Sequence, residues 1–214
     1  EAYPTTLALA GVAMVLSISL AVIVGALAAY NPGGVFDRIS SMASLAGASA
    51  PDFWVAITGI LLFAVTLRWL PTSGTGDLPY WILPIGVLML RPFGLMVQVV
   101  RAAMLGALSS AYVKTARAKG VGESAVIFVH ALRNACLSVV TVAGDLTVGL
   151  INGAVIVETV FGWPGVGKLM IDSVIQRDFP TVQATIMVTA TAIFLLNILI
   201  DLLYVALDPR IRHQ

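Results

Sequence analysis

The stretch Thr5-Thr-Leu-Ala-Leu-Ala-Gly-Val-Ala-Met-Val-Leu-Ser-Ile-Ser-Leu-Ala-Val-Ile-Val-Gly-Ala-Leu-Ala-Ala-Tyr30 decides the class of fold. Its only polar side chains are small hydroxyls, and it outruns the about 20 residues that a helix needs to cross a hydrocarbon core. Period-two alternation is missing, so neither a half-buried strand nor a barrel strand describes it. In lipid every backbone N–H and C=O must be satisfied within the segment, which leaves a helix. The turn cluster Asn31-Pro32-Gly33-Gly34 then stops it.

Working outward, four more stretches have this character. They run roughly from Ile39 to Leu67 with Pro51 inside, Tyr80 to Val100 with Pro84 and Pro92 inside, Asn134 to Val157, and Val182 to Leu207. The second is long for one straight span, so a tilt, a kink at Pro51 or an interfacial first part is expected. Composition agrees with a membrane protein. The 214 residues are 59% hydrophobic and 11% charged, against about 25% charged residues in soluble domains. The expected fold is all-α: one transmembrane domain over residues 1–214, with five spans. The start at Glu1 lacks a basic region, so the first span does not resemble a signal peptide and a preceding segment is expected.

Lys and Arg set the expected orientation. One set of loops holds Arg38, Arg101, Lys114, Arg117, Lys119, Arg133, Arg210 and Arg212; the opposite set holds Arg68, Lys168 and Arg177. Eight against three places the first set in the cytoplasm. Trp69, Tyr80 and Trp81 then suit the outer interface. The formal net charge is +1 and no Lys/Arg run occurs, so nucleic acid is not an expected partner. Cys136, the single cysteine, reads as a small buried packing residue. No catalytic constellation is present: Glu123 and Glu158 are single carboxylates, and His130 has no second histidine near it but His213. Neither a metal site nor a cofactor is expected.

The longest basic loop, residues 109–134, carries the most information. Ala111, Thr115 and Ala118 share one helical face, and Lys114 and Arg117 another. Gly120 and Gly122 end that helix and a second helical stretch follows; Gly120 is expected to hold a backbone conformation costly for other residues. A face of small residues permits close approach of another protein, while a solvated loop on anionic lipid headgroups is the alternative. Elsewhere, Gly162-Trp-Pro-Gly-Val-Gly-Lys168 matches most of a P-loop. Leu169 stands where the magnesium-binding hydroxyl belongs, and Pro164 lacks an N–H, so an outer loop at the mouth of a pathway is the better reading. Gly149 and Gly153 have the small-xxx-small spacing of close helix packing, with a pathway-lining role as the alternative. Asn197 and Asp201, at i and i+4, read as a hydrogen-bonded pair.

Two charges lie inside spans. Arg91 and Asp145 fall near mid-bilayer on consecutive spans, where each costs roughly 2.5–3.5 kcal/mol on insertion scales. Opposite signs at matching depth predict first an interhelical pair, direct or through water; two contacts to the charged ends of a solute, and snorkelling or a misplaced span boundary, are the alternatives.

Tyr112-Val-Lys-Thr-Ala-Arg-Ala-Lys-Gly120 and His130-Ala-Leu-Arg-Asn-Ala135 resemble the cytoplasmic EAA loop of ABC importer permeases, in the form found in the dipeptide, oligopeptide and nickel group. The resemblance continues through Val157-Glu-Thr-Val-Phe161, Trp163-Pro-Gly-Val-Gly167, Asn197, Asp201-Leu-Leu-Tyr204 and Leu207-Asp-Pro-Arg-Ile-Arg212. It extends more loosely to Asp37-Arg38 and Pro51-Asp-Phe-Trp54. Lys114, Thr115 and Ala116 replace the general Glu-Ala-Ala, as is common in the peptide group, and Gln98 stands where many relatives have a basic residue.

The resemblance implies the type I importer permease core in a bacterial or archaeal inner membrane. It implies a second permease subunit, cytoplasmic ATPase subunits, an external solute-binding protein and surrounding lipid as partners. ATP hydrolysis belongs to the ATPase subunits, so this chain is not an enzyme. Tyr112, Lys114, Thr115, Ala116, Arg117, Ala118, Lys119, Gly120, His130, Leu132 and Arg133 become the ATPase-coupling residues. ATP would then bias rigid-body switching between two packings. The alternative class is a self-contained secondary transporter or channel, which calls for ion-coupling sites near the midplane.

Overall fold

The computed structural model describes residues 2–207, without the side chains of 137, 201 and 203–207. All its elements are helices: α1 (Ala2–Tyr30), α2 (Val35–Ser49), α3 (Asp52–Gly59), α4 (Leu78–Leu108), α5 (Ala111–Ala118), α6 (Glu123–Ala125), α7 (Leu132–Phe161), α8 (Val166–Ile175) and α9 (Phe179–Leu207). π-helical turns continue α3 over Ile60–Thr66 and join α6 to α7 over Val126–Ala131. α1, α4, α7 and α9 are long and apolar enough to cross a membrane; α2 and α3 together make a fifth candidate.

α1 and α4 form the centre. Their contact is close because α1 presents Ala21, Gly25, Ala26 and Ala29 to Met96, Val97, Val100 and Met104. A Cβ on Gly25 would lie 2.7 Å from the Val100 Cβ, so only glycine allows this crossing. α7 closes the third side, and α9 packs chiefly on α8 and α7. The buried apolar residues form two clusters. One, near the Trp81–Trp163 end, contains Leu9, Met14, Val87, Leu150 and Phe161. The other contains Met96, Val100, Met104, Ile127 and Val139. Ile18, Ala143 and Leu146 touch both clusters.

The second span bends at Pro51, one of the expected forms, and more sharply than a kink: α2 and α3 meet at 102° across Ala50–Pro51. Contacts along α4 place the break. Asp37 pairs with Arg101, Ser44 accepts from Gln98, and the Ser44 carbonyl is where a Gly94 Cβ would fall. Gly47 lies against Leu90. α2 therefore runs antiparallel to one half of α4 and stops near its middle. α3 departs from there and reaches Leu83 at Gly59. Pro51 ends α2 because its ring disfavours helical backbone at Ala50, which is extended at φ −72° and ψ 132°.

Two expectations need correction. Arg101 is not in a loop, because α4 continues to Leu108. The helix keeps this arginine by pairing it with Asp37. Cys136 is exposed on α7 and not a buried packing residue; an apolar outward face of a membrane helix accepts it as readily as a core does. The Arg210 and Arg212 charges, His213, the segment after Leu207 and the Asp201 side of the Asn197 pair lie outside the described residues. Asn197 itself donates to the Ile193 carbonyl at 3.0 Å.

Candidate functional site

The segment 109–134 folds as two helical pieces around a glycine turn. α5 rests on Val113, which is fully buried, and on half-buried Ala116. Ala111, Tyr112, Lys114, Thr115, Ala118 and Lys119 remain exposed. The Gly120 N–H bonds the Arg117 carbonyl at 2.9 Å, and the Val121 N–H bonds the Ala116 carbonyl at 3.2 Å. This is a Schellman stop, which needs a left-handed residue at its centre. Gly120 supplies it at φ +80°, and nothing lies within 4 Å of a Cβ placed there. Its requirement for glycine is therefore conformational and not steric. Arg117 and Glu123 clamp the turn by two bonds of 2.9 and 3.1 Å. The Glu123 carboxylate holds the Arg117 guanidinium above its ordinary pKa. His130 and Leu132 are half-buried and Arg133 is exposed, on the stretch that leads from the turn into α7. Phe128 and Val129 add exposed apolar surface beside them.

Arg91 and Asp145 sit near the middles of α4 and α7 and line one cavity of about 430 Å³. They do not form a direct ion pair within 4 Å; the ion pairs among the described residues are Arg101–Asp37, Arg117–Glu123 and Lys168–Asp172. The cavity wall also includes Asp52, Asn152, Gly149 and Gly153. Asp52 was not singled out by sequence reasoning. It is the first residue of α3, so the break after Pro51 delivers it to the same depth as Arg91. Gly149 has open space where a Cβ would be, and a Cβ on Gly153 would meet the Asp52 carboxylate at 3.6 Å. Both glycines lie on the cavity wall, and neither is required by a close helix–helix contact among the described residues.

The P-loop look-alike has a different use. α8 begins at Val166, and its first N–H groups already have acceptors. Val166 donates to Thr6 Oγ1 at 2.9 Å; Gly167 and Lys168 donate to Glu158 Oε2 at 2.8 and 3.2 Å. Thr6 Oγ1 donates to Glu158 Oε1 at 2.5 Å. A phosphate would have to displace a fully buried carboxyl group from this cradle. Nucleotide binding at Gly162–Lys168 is excluded on that ground. Glu158 is instead the hub joining α1, α7 and α8. A Cβ at Gly165 would collide with its carboxyl group.

The other polar cluster missed by sequence reasoning lies at the opposite end of α4. Both Asp37 carboxylate oxygens accept from Arg101, through the Nε and Nη2 atoms of one guanidinium edge, the Nη2–Oδ2 bond being 2.8 Å, and Oδ2 also accepts the Gly33 N–H at 2.8 Å. Gln98 donates to Ser44 Oγ at 2.6 Å. The two helices are thus tied by polar bonds at the basic end, where Arg38, Lys114, Arg117 and Arg133 also gather.

Continuous spans with a broken one packed beside α4, and charges of α3, α4 and α7 lining one cavity, make a polytopic membrane bundle. Residues 21–213 match the family described as the binding-protein-dependent transport system inner membrane component, and the chain belongs to that family. It is 42% identical over 240 residues to the di/tripeptide transport system permease protein DppB of Pseudomonas aeruginosa, covering 99% of this chain and 71% of that one. It is 40% identical over 243 residues to the dipeptide transport system permease protein DppB of Escherichia coli K12, covering 99% and 72%. Two solved structures share the fold. The MetNI methionine ABC transporter in inward-facing conformations gives a TM-score of 0.77 at 17% identity, covering 95% of this chain and 93% of that one. An amino acid ABC transporter with histidines gives 0.72 at 15%, covering 95% and 91%. The chain is accordingly a multi-pass inner-membrane permease subunit of an ABC importer, and not an enzyme. Its class implies ATPase and substrate-binding partners. A self-contained secondary transporter or channel is set aside.

Proposed function

We propose that this subunit forms, with a second permease subunit, the membrane pathway of a peptide importer, and that residues 109–134 couple it to cytoplasmic ATPases. The names of the relatives at 40–42% identity support the peptide class. The observation that carries the coupling role is α5 itself. Its Ala111, Thr115 and Ala118 face is exposed at the basic end of the bundle, while Val113, the Schellman stop and the Arg117–Glu123 clamp fix its position. A small-residue face on a rigid mount suits transmission of a push from a partner, because the mount does not yield before the bundle does. The positive-inside rule puts that end in the cytoplasm, and membrane lipid then covers the outward apolar faces, most extensively on α9. ATP-driven closure of the ATPases would bias the paired permeases between two packings.

The test places one cysteine in a cysteine-free background. A cysteine at Ser109 should label only from the cytoplasm, and one at Ser73 only from outside. A cysteine at Ala118 should crosslink to the ATPase subunit with an efficiency that ATP alters. Reversed labelling would overturn the orientation and the docking role together.

A further inference from the structure

We propose that Asp52, Arg91 and Asp145 form an intramembrane site for the two charged ends of a zwitterionic solute, Arg91 taking the carboxylate and the aspartates the ammonium group. The proposal rests on the peptide-importer reading and adds to it a place and a chemistry of recognition. The cavity volume of about 430 Å³ falls in the about 300–1,000 Å³ range of small-molecule pockets. Three helices converge on it, each bringing one ionisable side chain: α3 gives Asp52, α4 gives Arg91 and α7 gives Asp145. Leucines 88, 95, 146 and 150 with Pro92 and Ile156 supply apolar wall, and Asn152 adds a neutral hydrogen-bonding group.

Three ion pairs tie the ends of the bundle, where charges without a pair, such as Arg38, Lys114 and Arg133, are exposed. Asp37 is paired with Arg101, Arg117 with Glu123, and Lys168 with Asp172. Arg91, Asp52 and Asp145 share a cavity and make no ion pair within 4 Å, although Arg91 is within electrostatic reach of Asp52. Ionisable groups within a membrane are kept where they face water or a ligand. A guanidinium fork matches a carboxylate by two parallel hydrogen bonds. A separate ammonium group on the same solute matches a carboxylate of the wall. The apolar remainder accommodates side chains without selecting among them. The geometry arises from the broken span: a straight helix through Pro51 would not start a new helix with Asp52 beside Arg91 on the cavity wall.

The experiment uses the complete permease–ATPase complex in nanodiscs, with the solute-binding protein omitted so that it contributes no recognition. Saturation-transfer NMR compares Ala-Ala with its N-acetyl and C-amide forms. The expected result is a response to Ala-Ala that falls at least tenfold for each blocked form. Arg91→Gln should abolish the Ala-Ala response and Arg91→Lys retain part of it. The double variant Asp52→Asn/Asp145→Asn should remove the penalty of N-acetylation. Gel filtration with the ATPase subunits reports assembly, and Arg91→Lys with Asp145→Glu stand in for any variant that fails to assemble. Equal responses from the three probes, no response to Ala-Ala, or an unchanged Arg91→Gln would overturn the site. ATP-driven uptake by the full importer with its binding protein is measured in parallel. Uptake of Ala-Ala that Arg91→Gln leaves intact sinks the site and leaves the importer standing; absence of peptide uptake in the unmodified complex overturns both.

Discussion

Removing the carboxyl group of Glu158 should loosen the α1–α7–α8 corner more than any other single truncation of a polar side chain at that end. The group is 0% exposed and receives three hydrogen bonds, from Thr6 Oγ1 and the N–H groups of Gly167 and Lys168. Each such bond contributes about 1–3 kcal/mol, and a buried donor left without an acceptor costs a similar amount. Partial relaxation of α8 offsets some of this, so Glu158→Ala should destabilise by about 3–5 kcal/mol. At the size of this chain that corresponds to a fall in Tm of roughly 6–20 °C. Glu158→Gln keeps one acceptor oxygen for the two backbone donors and should cost about 1 kcal/mol. Gly165→Ala should resemble Glu158→Ala, because its Cβ would occupy the space of the carboxyl group. In the Glu158→Ala background that space is vacant, so adding Gly165→Ala should then cost less than about 1 kcal/mol. Thermal unfolding can be followed by tryptophan fluorescence, since Trp163 meets Trp81 edge-on at 4.7 Å beside this corner. A Glu158→Ala melting point within 2 °C of the parent, or additive costs in the double variant, would refute the hub.

Gly120→Val should leave membrane insertion intact but cost about 1–2 kcal/mol locally through the left-handed backbone, lowering solute uptake per ATP hydrolysed; Gly120→Asn, which tolerates that conformation, should restore most of the coupling ratio. Asp37→Ala should destabilise by about 2–4 kcal/mol because it strands the guanidinium of Arg101. Adding Arg101→Leu should recover part of that loss in the same melting assay, and additive losses would argue against the pair.

How much of this was legible follows from how local each cause is. The spans could be read because a run of about 20 apolar residues is its own evidence. The turn at Gly120 could be read because a Schellman stop involves only residues 116–121. The depth of Arg91 and Asp145 followed from counting along their helices. Pro51 marked a disturbance, but not a 102° break. That angle depends on α2 lying along α4, which Gly94 permits by having no Cβ against the Ser44 carbonyl, 50 residues away in sequence. Asp52 escaped attention for the same reason. Glu158 looked like an isolated carboxylate because its partners are residue 6 and the start of a ten-residue helix hidden in a Gly/Pro-rich loop. The signal available was the pair Gly165 and Gly167, two positions without side chains beside a helix start, which can indicate that something else fills the space.

The distribution of satisfied and unsatisfied charge bears on how such a subunit can move. At one end, Glu158 and Thr6 bind α1, α7 and α8 into a unit in which the first N–H groups of α8 have acceptors. At the other, Asp37, Arg101, Gln98 and Ser44 fasten α2 along α4. Both sets are short-range, and pulling either apart would expose polar groups to hydrocarbon, so each end should move as a block. Between them lie the break at Ala50–Pro51, the cavity, and three charges without ion pairs. The middle is therefore where a change of packing disrupts the fewest bonds. If the proposed site takes a solute, the binding energy would fall on the part of the bundle that is freest to change.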